Sequence, residues 1–182
     1  MRNSNLRCSA DLDHRLQEAI DRIGQDDDVS ASLYEVLVGA IALTGADLGT
    51  IQHYDVGEDC LKIIASHGFP DDVLAFFLIV RRDTNSSCAA SFKQRMRVVV
   101  HDVTKSYLFV GTRELSLLQQ AGIDAVHSSP LITGSGRLWG IITMHFREQL
   151  REGDYEPAAL DRLALRLASR LDDREIHFST KR

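Results

Sequence analysis

AVHSSPLITGSGRLWGIITMHF, residues 125–146, reads as two strands joined by a tight glycine turn, and it forms the middle of a sheet. Ala125 to Ile132 and Leu138 to Phe146 are apolar at nearly every position. Thr133-Gly134-Ser135-Gly136-Arg137 supplies the positive-φ residues that a hairpin loop needs. A strand that shows one face to water alternates, and these do not. Near-continuous apolarity places cover on both faces of the pair. A five-residue loop pairs Ser128 with Ile142 and Ser129 with Ile141, which predicts His127, Ser129, Thr143 and His145 on one face. Hydroxyls and imidazoles gathered on a covered sheet need partners, and the functional site is expected there.

Working outward, Leu12, Leu16, Ala19 and Ile23 mark an amphipathic helix in a leading arm, residues 1–30, ended by Gly24 and the solvated linker Asp26-Asp27-Asp28. Ser30 is predicted to cap a core helix with Leu33, Val36, Leu37, Ala40 and Ile41 on its apolar face. Residues 46–55 and 60–66 form a second hairpin. Pro70-Asp71-Asp72 opens a helix expected to run through Val80, with Arg81-Arg82 at its C-terminal end. A short helix at 87–96, a buried strand at 97–103 and a helix at 113–121 capped by Thr112 follow. Pro157 opens a last helix with Leu160, Ala164, Leu167 and Leu171 on one stripe, before a polar tail at 174–182.

Hairpins outnumber βαβ crossovers, so the expected class is α+β: a mainly antiparallel sheet of five to six strands with helices on both sides. The compact unit is expected to span residues 31–173. Both ends carry heptad-like stripes that suit pairing with a second copy of the chain.

Composition narrows the function. A formal charge of −5 argues against nucleic acid as a partner. The apolar runs at 36–43 and 73–80 are too short to span a bilayer, and residues 1–13 lack the core of a signal peptide, so a cytoplasmic protein without membrane contact is expected. Cys8, Cys60 and Cys88 are odd in number and have no Cys-x-x-Cys spacing, which opposes a structural zinc or a disulfide framework. No Walker, Gly-x-Ser-x-Gly or His-Glu-x-x-His pattern occurs, so no catalytic residue or metal ligand is assigned.

Several ordered pieces carry a family resemblance: TGADLGTIQHYD at 44–55, IASHGFP at 64–70, LAFF at 74–77, SSC at 86–88, VHDV at 100–103, AGIDAVHSSPLIT at 121–133 and GIITMHF at 140–146. From Leu33 to Leu171 the chain resembles a GAF domain of the kind found beside PAS domains and histidine kinases in bacterial sensory proteins. The resemblance implies a small-molecule pocket on one side of the sheet, roofed by the middle helices, and a regulatory role. It implies either ligand binding or a ligand-free dimerisation module, and it assigns no cofactor. The chain departs from the family pattern at His53, Ala89, His127 and Met144.

The pocket is expected to be lined by Gln52, Phe77, Ser87, Cys88, Asp102, His127, Ser129, Thr143 and His145. Cys88 at a helix start suits a thiolate, hence a redox switch or chromophore attachment, but a small buried residue is the favoured reading. A GAF-fold thiol reductase is the minority alternative, since only Cys88 of the three cysteines lies where a pocket cysteine would. About ten residues follow the last helix, so output is expected through another protein such as a histidine kinase, unless the chain is a fragment.

Overall fold

The computed structural model describes residues 2–23, 25, 29–151, 153 and 155–172, with side chains from 11 to 171 of these. The predicted linker at 26–28 and the tail at 174–182 lie outside the described residues. The helices are α1 (Arg2–Arg22), α2 (Val29–Thr44), α3 (Asp71–Phe76), α4 (Ser87–Gln94), α5 (Arg113–Gln120) and α6 (Pro157–Asp172). The strands are β1 (Leu48–Asp55), β2 (Cys60–His67), β3 (Ile79–Val80), β4 (Val98–Val100), β5 (Ala125–Ile132) and β6 (Leu138–Phe146). They form one sheet in the order β3-β2-β1-β6-β5-β4, with every pair antiparallel.

The central pair is covered on both faces, as its apolarity demands. Ala125, Leu131, Trp139, Ile142, Met144 and Phe146 join the buried stripes of α1, α2 and α6 in one core. On the other face Val126, Leu138 and Ile141 meet α3, α4, α5 and their loops. The arm helix belongs to the core. Leu16 of α1 lies against Gly39 of α2, where an added Cβ would sit 2.4 Å from its Cδ2. Arg170 of α6 donates to the carbonyls of Asp21 and Ile23, each at 3.0 Å, and so satisfies the C-terminal end of α1.

The β5–β6 loop has five residues, but the register beyond it differs from the predicted one. Ile132 pairs with Leu138 and Leu131 with Gly140, so Trp139 is an extra residue on β6. Past this bulge Ser128 opposes Thr143 and Ser129 opposes Ile142. Leu138 and Ile141, three residues apart, both face the roof, while Trp139 faces the helices. One inserted residue exchanges the faces of all that follows. Gly140 is what admits it, because a Cβ there would lie 2.0 Å from the carbonyl oxygen of Gln52 on β1.

Two further expectations change. The apolar run from Val73 does not stay helical: α3 ends at Phe76, and Ile79 and Val80 pair with Lys62 and Leu61 as an edge strand. The open edge of β2 offers ladder partners to two β-branched residues, which competes successfully with the helix. Arg81 and Arg82 therefore lead into α4 instead of ending a helix. The strand predicted at 97–103 shortens to Val98–Val100, because Asp102 turns the chain into a 3-10 turn at Val103–Lys105 by accepting from the Thr104 amide at 2.9 Å.

Gly140→Ala should drive the new methyl into the Gln52 carbonyl and lower unfolding free energy by about 1–3 kcal/mol. Urea denaturation with an unchanged slope and a lower midpoint would display this; an unchanged midpoint would mean that β1 and β6 do not need their close approach.

Candidate functional site

On the roof face the alternation of β1 and β6 turns Thr50, Gln52, Thr143 and His145 toward one cavity. Ser86, Ser87 and Cys88 at the start of α4 close one side of it, and Phe69, Val73, Leu74 and Phe77 from α3 and the residues before and after it lie across the top. Val126, Ile63, Phe109 and Leu118 complete the wall. The enclosed space is about 30 Å³, room for no more than a water-sized group or two. No Asp, Glu, Lys or Arg lines it among the described residues.

A ladder of hydroxyls crosses the floor. Ser128 Oγ donates to Ser87 Oγ at 2.9 Å and lies 2.9 Å from Thr143 Oγ1, which ties β5 and β6 to the first turn of α4. Ser86 caps that helix, accepting from the Ala89 amide at 3.2 Å, and its hydroxyl lies 3.2 Å from Cys88 Sγ. Burial pushes the Cys88 thiol up, against the opposing pull of the Ser86 hydroxyl and nearby amides. Desolvation therefore outweighs the helix terminus, and the thiol stays protonated. Cys88 is buried, as the favoured reading of it as a small buried residue expects, and the thiolate alternative is disfavoured.

Two buried polar atoms at this cavity have no hydrogen-bond partner among the described residues: Gln52 Oε1 and His145 Nδ1. Gln52 is 1% exposed. Burial alone lowers the His145 pKa to about 3, so its imidazole is neutral, and its ring meets Phe69 edge to face at 4.8 Å. A buried carbonyl oxygen without a donor costs about 1–3 kcal/mol, and such a group commonly marks a place where something else supplies the partner.

Six of the nine expected site residues thus meet at the cavity: Gln52, Phe77, Ser87, Cys88, Thr143 and His145. The other three do not. Asp102 caps the 3-10 turn and pairs with Lys105 at 2.8 Å, which holds its carboxyl down at about 2. His127 and Ser129 point to the helix side, because the Trp139 bulge exchanges their face with that of Ser128. The family departures at His53, His127 and Met144 also miss the cavity: His53 stacks edge-on against Trp139 at 4.8 Å and Met144 lies in the helix-side core. Thr50 was legible as the same-face neighbour of Gln52, two residues away. Phe109 carried no local signal, since a loop residue has no periodicity to read.

On the far side His127 organises its own network. Ser129 Oγ donates to Asp161 Oδ1 of α6 at 2.7 Å, so its oxygen accepts from His127 Nε2 at 3.0 Å. His127 Nδ1 then accepts from the Tyr155 hydroxyl, and Arg97 closes the chain as an ion pair with Asp161. Burial holds the His127 pKa down at about 4, with Asp161 opposing. An unfolded histidine titrates near 6.5, so between these values the unfolded chain binds a proton that the folded chain refuses. Stability is full above about pH 6.5 and falls as pH drops toward 4, by up to about 1.4 kcal/mol per unit for such a histidine. His145 adds to the loss with the same sign. Urea midpoints between about pH 7 and 4.5 should record it, and His127→Gln should remove roughly half of the slope. Tyr155→Phe, which strips Nδ1 of its donor, should cost about 1–2 kcal/mol at neutral pH.

Among the described residues no three His, Cys, Asp or Glu side chains converge as a metal site, and no helix is long and apolar enough to cross a membrane. No curated protein sequence matches the chain. Among solved structures it is similar to the GAF domain of a phosphoenolpyruvate-protein phosphotransferase from Coxiella burnetii, at 16% identity and a TM-score of 0.70 over 89% of this chain and 93% of that one. The A. aeolicus nlh2 GAF domain in an inactive state is similar at 20% identity and a TM-score of 0.64, over 90% and 99%. Free methionine-R-sulfoxide reductase from Neisseria meningitidis, in complex with its substrate, is similar at 16% identity and a TM-score of 0.66, over 88% of each chain. These identities establish a shared fold. The GAF domain family profile matches residues 28–171, and with the six-stranded sheet and its two helical layers this shows that the chain belongs to the GAF domain family.

Proposed function

We propose that this chain is a cytoplasmic regulatory domain of bacterial signal transduction that takes an uncharged small molecule between the sheet and the α3–α4 roof. The observation that carries the reading is the pair of buried, unpartnered atoms, Gln52 Oε1 and His145 Nδ1, facing one cavity without charged residues. A guest with a hydrogen-bond donor for the glutamine carbonyl and an apolar body for Phe69, Leu74 and Phe77 fits that lining. At about 30 Å³ the space admits such a guest only if the roof lifts. The roof is suited to that: α3 has six residues and buries fully only Val73, and β3 holds the sheet through two residue pairs.

Binding would then shift the population toward a lifted roof, to the extent that the guest favours that arrangement. Ser128 joins the roof to β5, and the next residue, Ser129, joins β5 to α6. Movement of the roof therefore reaches the terminal helices α1 and α6, where we place a homodimer contact and the output to a histidine kinase or another signalling protein. The phosphotransferase origin of one structural neighbour supports a regulatory setting. A second reading, a ligand-free dimerisation module, is favoured by the small volume itself, about 30 Å³ with Phe69 and Phe77 among its lining residues. A thiol reductase like the Neisseria neighbour is disfavoured by the burial of Cys88 and its raised pKa.

Native mass spectrometry of the purified protein separates the first two readings. The sensor predicts a dimer retaining a small molecule, with occupancy reduced about tenfold in Gln52→Leu through loss of one hydrogen bond. In the empty protein the same substitution should raise stability by about 1 kcal/mol, since it removes a buried acceptor without a donor. A bare dimer for both proteins, with Gln52→Leu no more stable than the parent, would favour the scaffold.

A further inference from the structure

Away from the chamber, the C-terminal end of α4 meets the β5–β6 turn around an open cleft of about 280 Å³ that shares no lining residue with the cavity. Arg82, Lys93, Arg95 and Arg137 line it, and among the described residues no carboxylate does. This is a local excess of positive charge in a chain whose formal charge is −5.

The cations are held in place. The Arg82 guanidinium lies 4.1 Å from the Phe92 ring centre and donates from Nε and Nη2 to Asp59, at 3.0 Å in each case, so that one charge is compensated from the neighbouring turn. Arg95 adopts the left-handed φ of 55°, uncommon for a residue with a side chain, and from there donates from Nη2 to the Gly136 carbonyl at 2.8 Å. That bond fixes the end of α4 to the turn that carries Arg137. Lys93 and Arg95 form no ion pair with another described residue. Half-buried Tyr54 and exposed Val56 supply an apolar wall beside the charges, while Phe92, buried beneath Arg82, backs Tyr54 with ring centres 4.8 Å apart.

We propose that this cleft binds a small soluble phosphate ester, its phosphate held by Lys93, Arg95 and Arg137 and its organic part resting on Tyr54 and Val56. Several cations lining one cleft suit a dianion better than a single carboxylate, and guanidinium groups match phosphate oxygens in geometry. The volume lies at the small end of ligand pockets, which selects a compact molecule. The negative charge of the chain as a whole disfavours a long polyanion.

The test is a titration of the full chain followed by amide and arginine side-chain NMR signals, with phenyl phosphate and inorganic phosphate as probes and chloride at matched ionic strength as control. The expected result is saturable shifts at residues 92–96 and 137, tighter for phenyl phosphate than for inorganic phosphate, and weakened about tenfold in Lys93→Gln and in Arg137→Gln. Both side chains are exposed, and unchanged signals elsewhere report that the variants are folded. Shifts that are linear in concentration and reproduced by chloride, or that ignore both substitutions, overturn the site. Binding confined to vesicles containing phosphatidic acid, with none to the soluble phosphates, also overturns it, because the ligand would then be a lipid headgroup.

Discussion

The fold depends on the approach of one backbone to another, Gly140 of β6 against the carbonyl of Gln52 on β1. Because no side chain separates them, β6 can carry the extra residue Trp139 and still stay in register with β1. That single insertion decides which residues of the central hairpin meet the roof and which meet the helices. Thr143 and His145 line the cavity, and His127 and Ser129 do not, for this reason alone. The same contact places Gln52, whose side-chain oxygen Oε1 lies unpartnered in the cavity, at the centre of the sheet.

The two faces solve the burial of polar groups differently. On the helix side every donor in the Tyr155–His127–Ser129–Asp161 chain has an acceptor, and the charge of Asp161 is answered by Arg97. A satisfied network of this kind rigidifies the elements it joins. On the roof side the hydroxyl ladder from Ser87 to Thr143 is satisfied, but Gln52 and His145 each keep one atom in reserve. The fold tolerates this cost where the covering elements are thin and short. Rigid floor and light roof are thereby divided between opposite faces of one sheet.

Much of this was legible beforehand. The covered central pair, the two hairpins, the Thr112 and Pro157 helix starts and the class of the fold all follow from local patterns of apolarity and turn residues. The bulge was not, because its cause is tertiary: a glycine next to a tryptophan within a strand reads as an ordinary apolar run until another strand approaches it. The helix at 71–80 failed for a similar reason, since Ile79 and Val80 are ambiguous in isolation and the free edge of β2 decides between helix and strand. The basic cleft was equally hidden, as Arg82, Lys93, Arg95 and Arg137 come from three separate segments and converge only in the folded chain.

The two outermost strands are also the shortest, β3 with two residues and β4 with three. These two strands themselves offer a neighbouring molecule only a short row of amides and carbonyls to extend. Runaway strand-to-strand stacking along β3 and β4 is thereby discouraged.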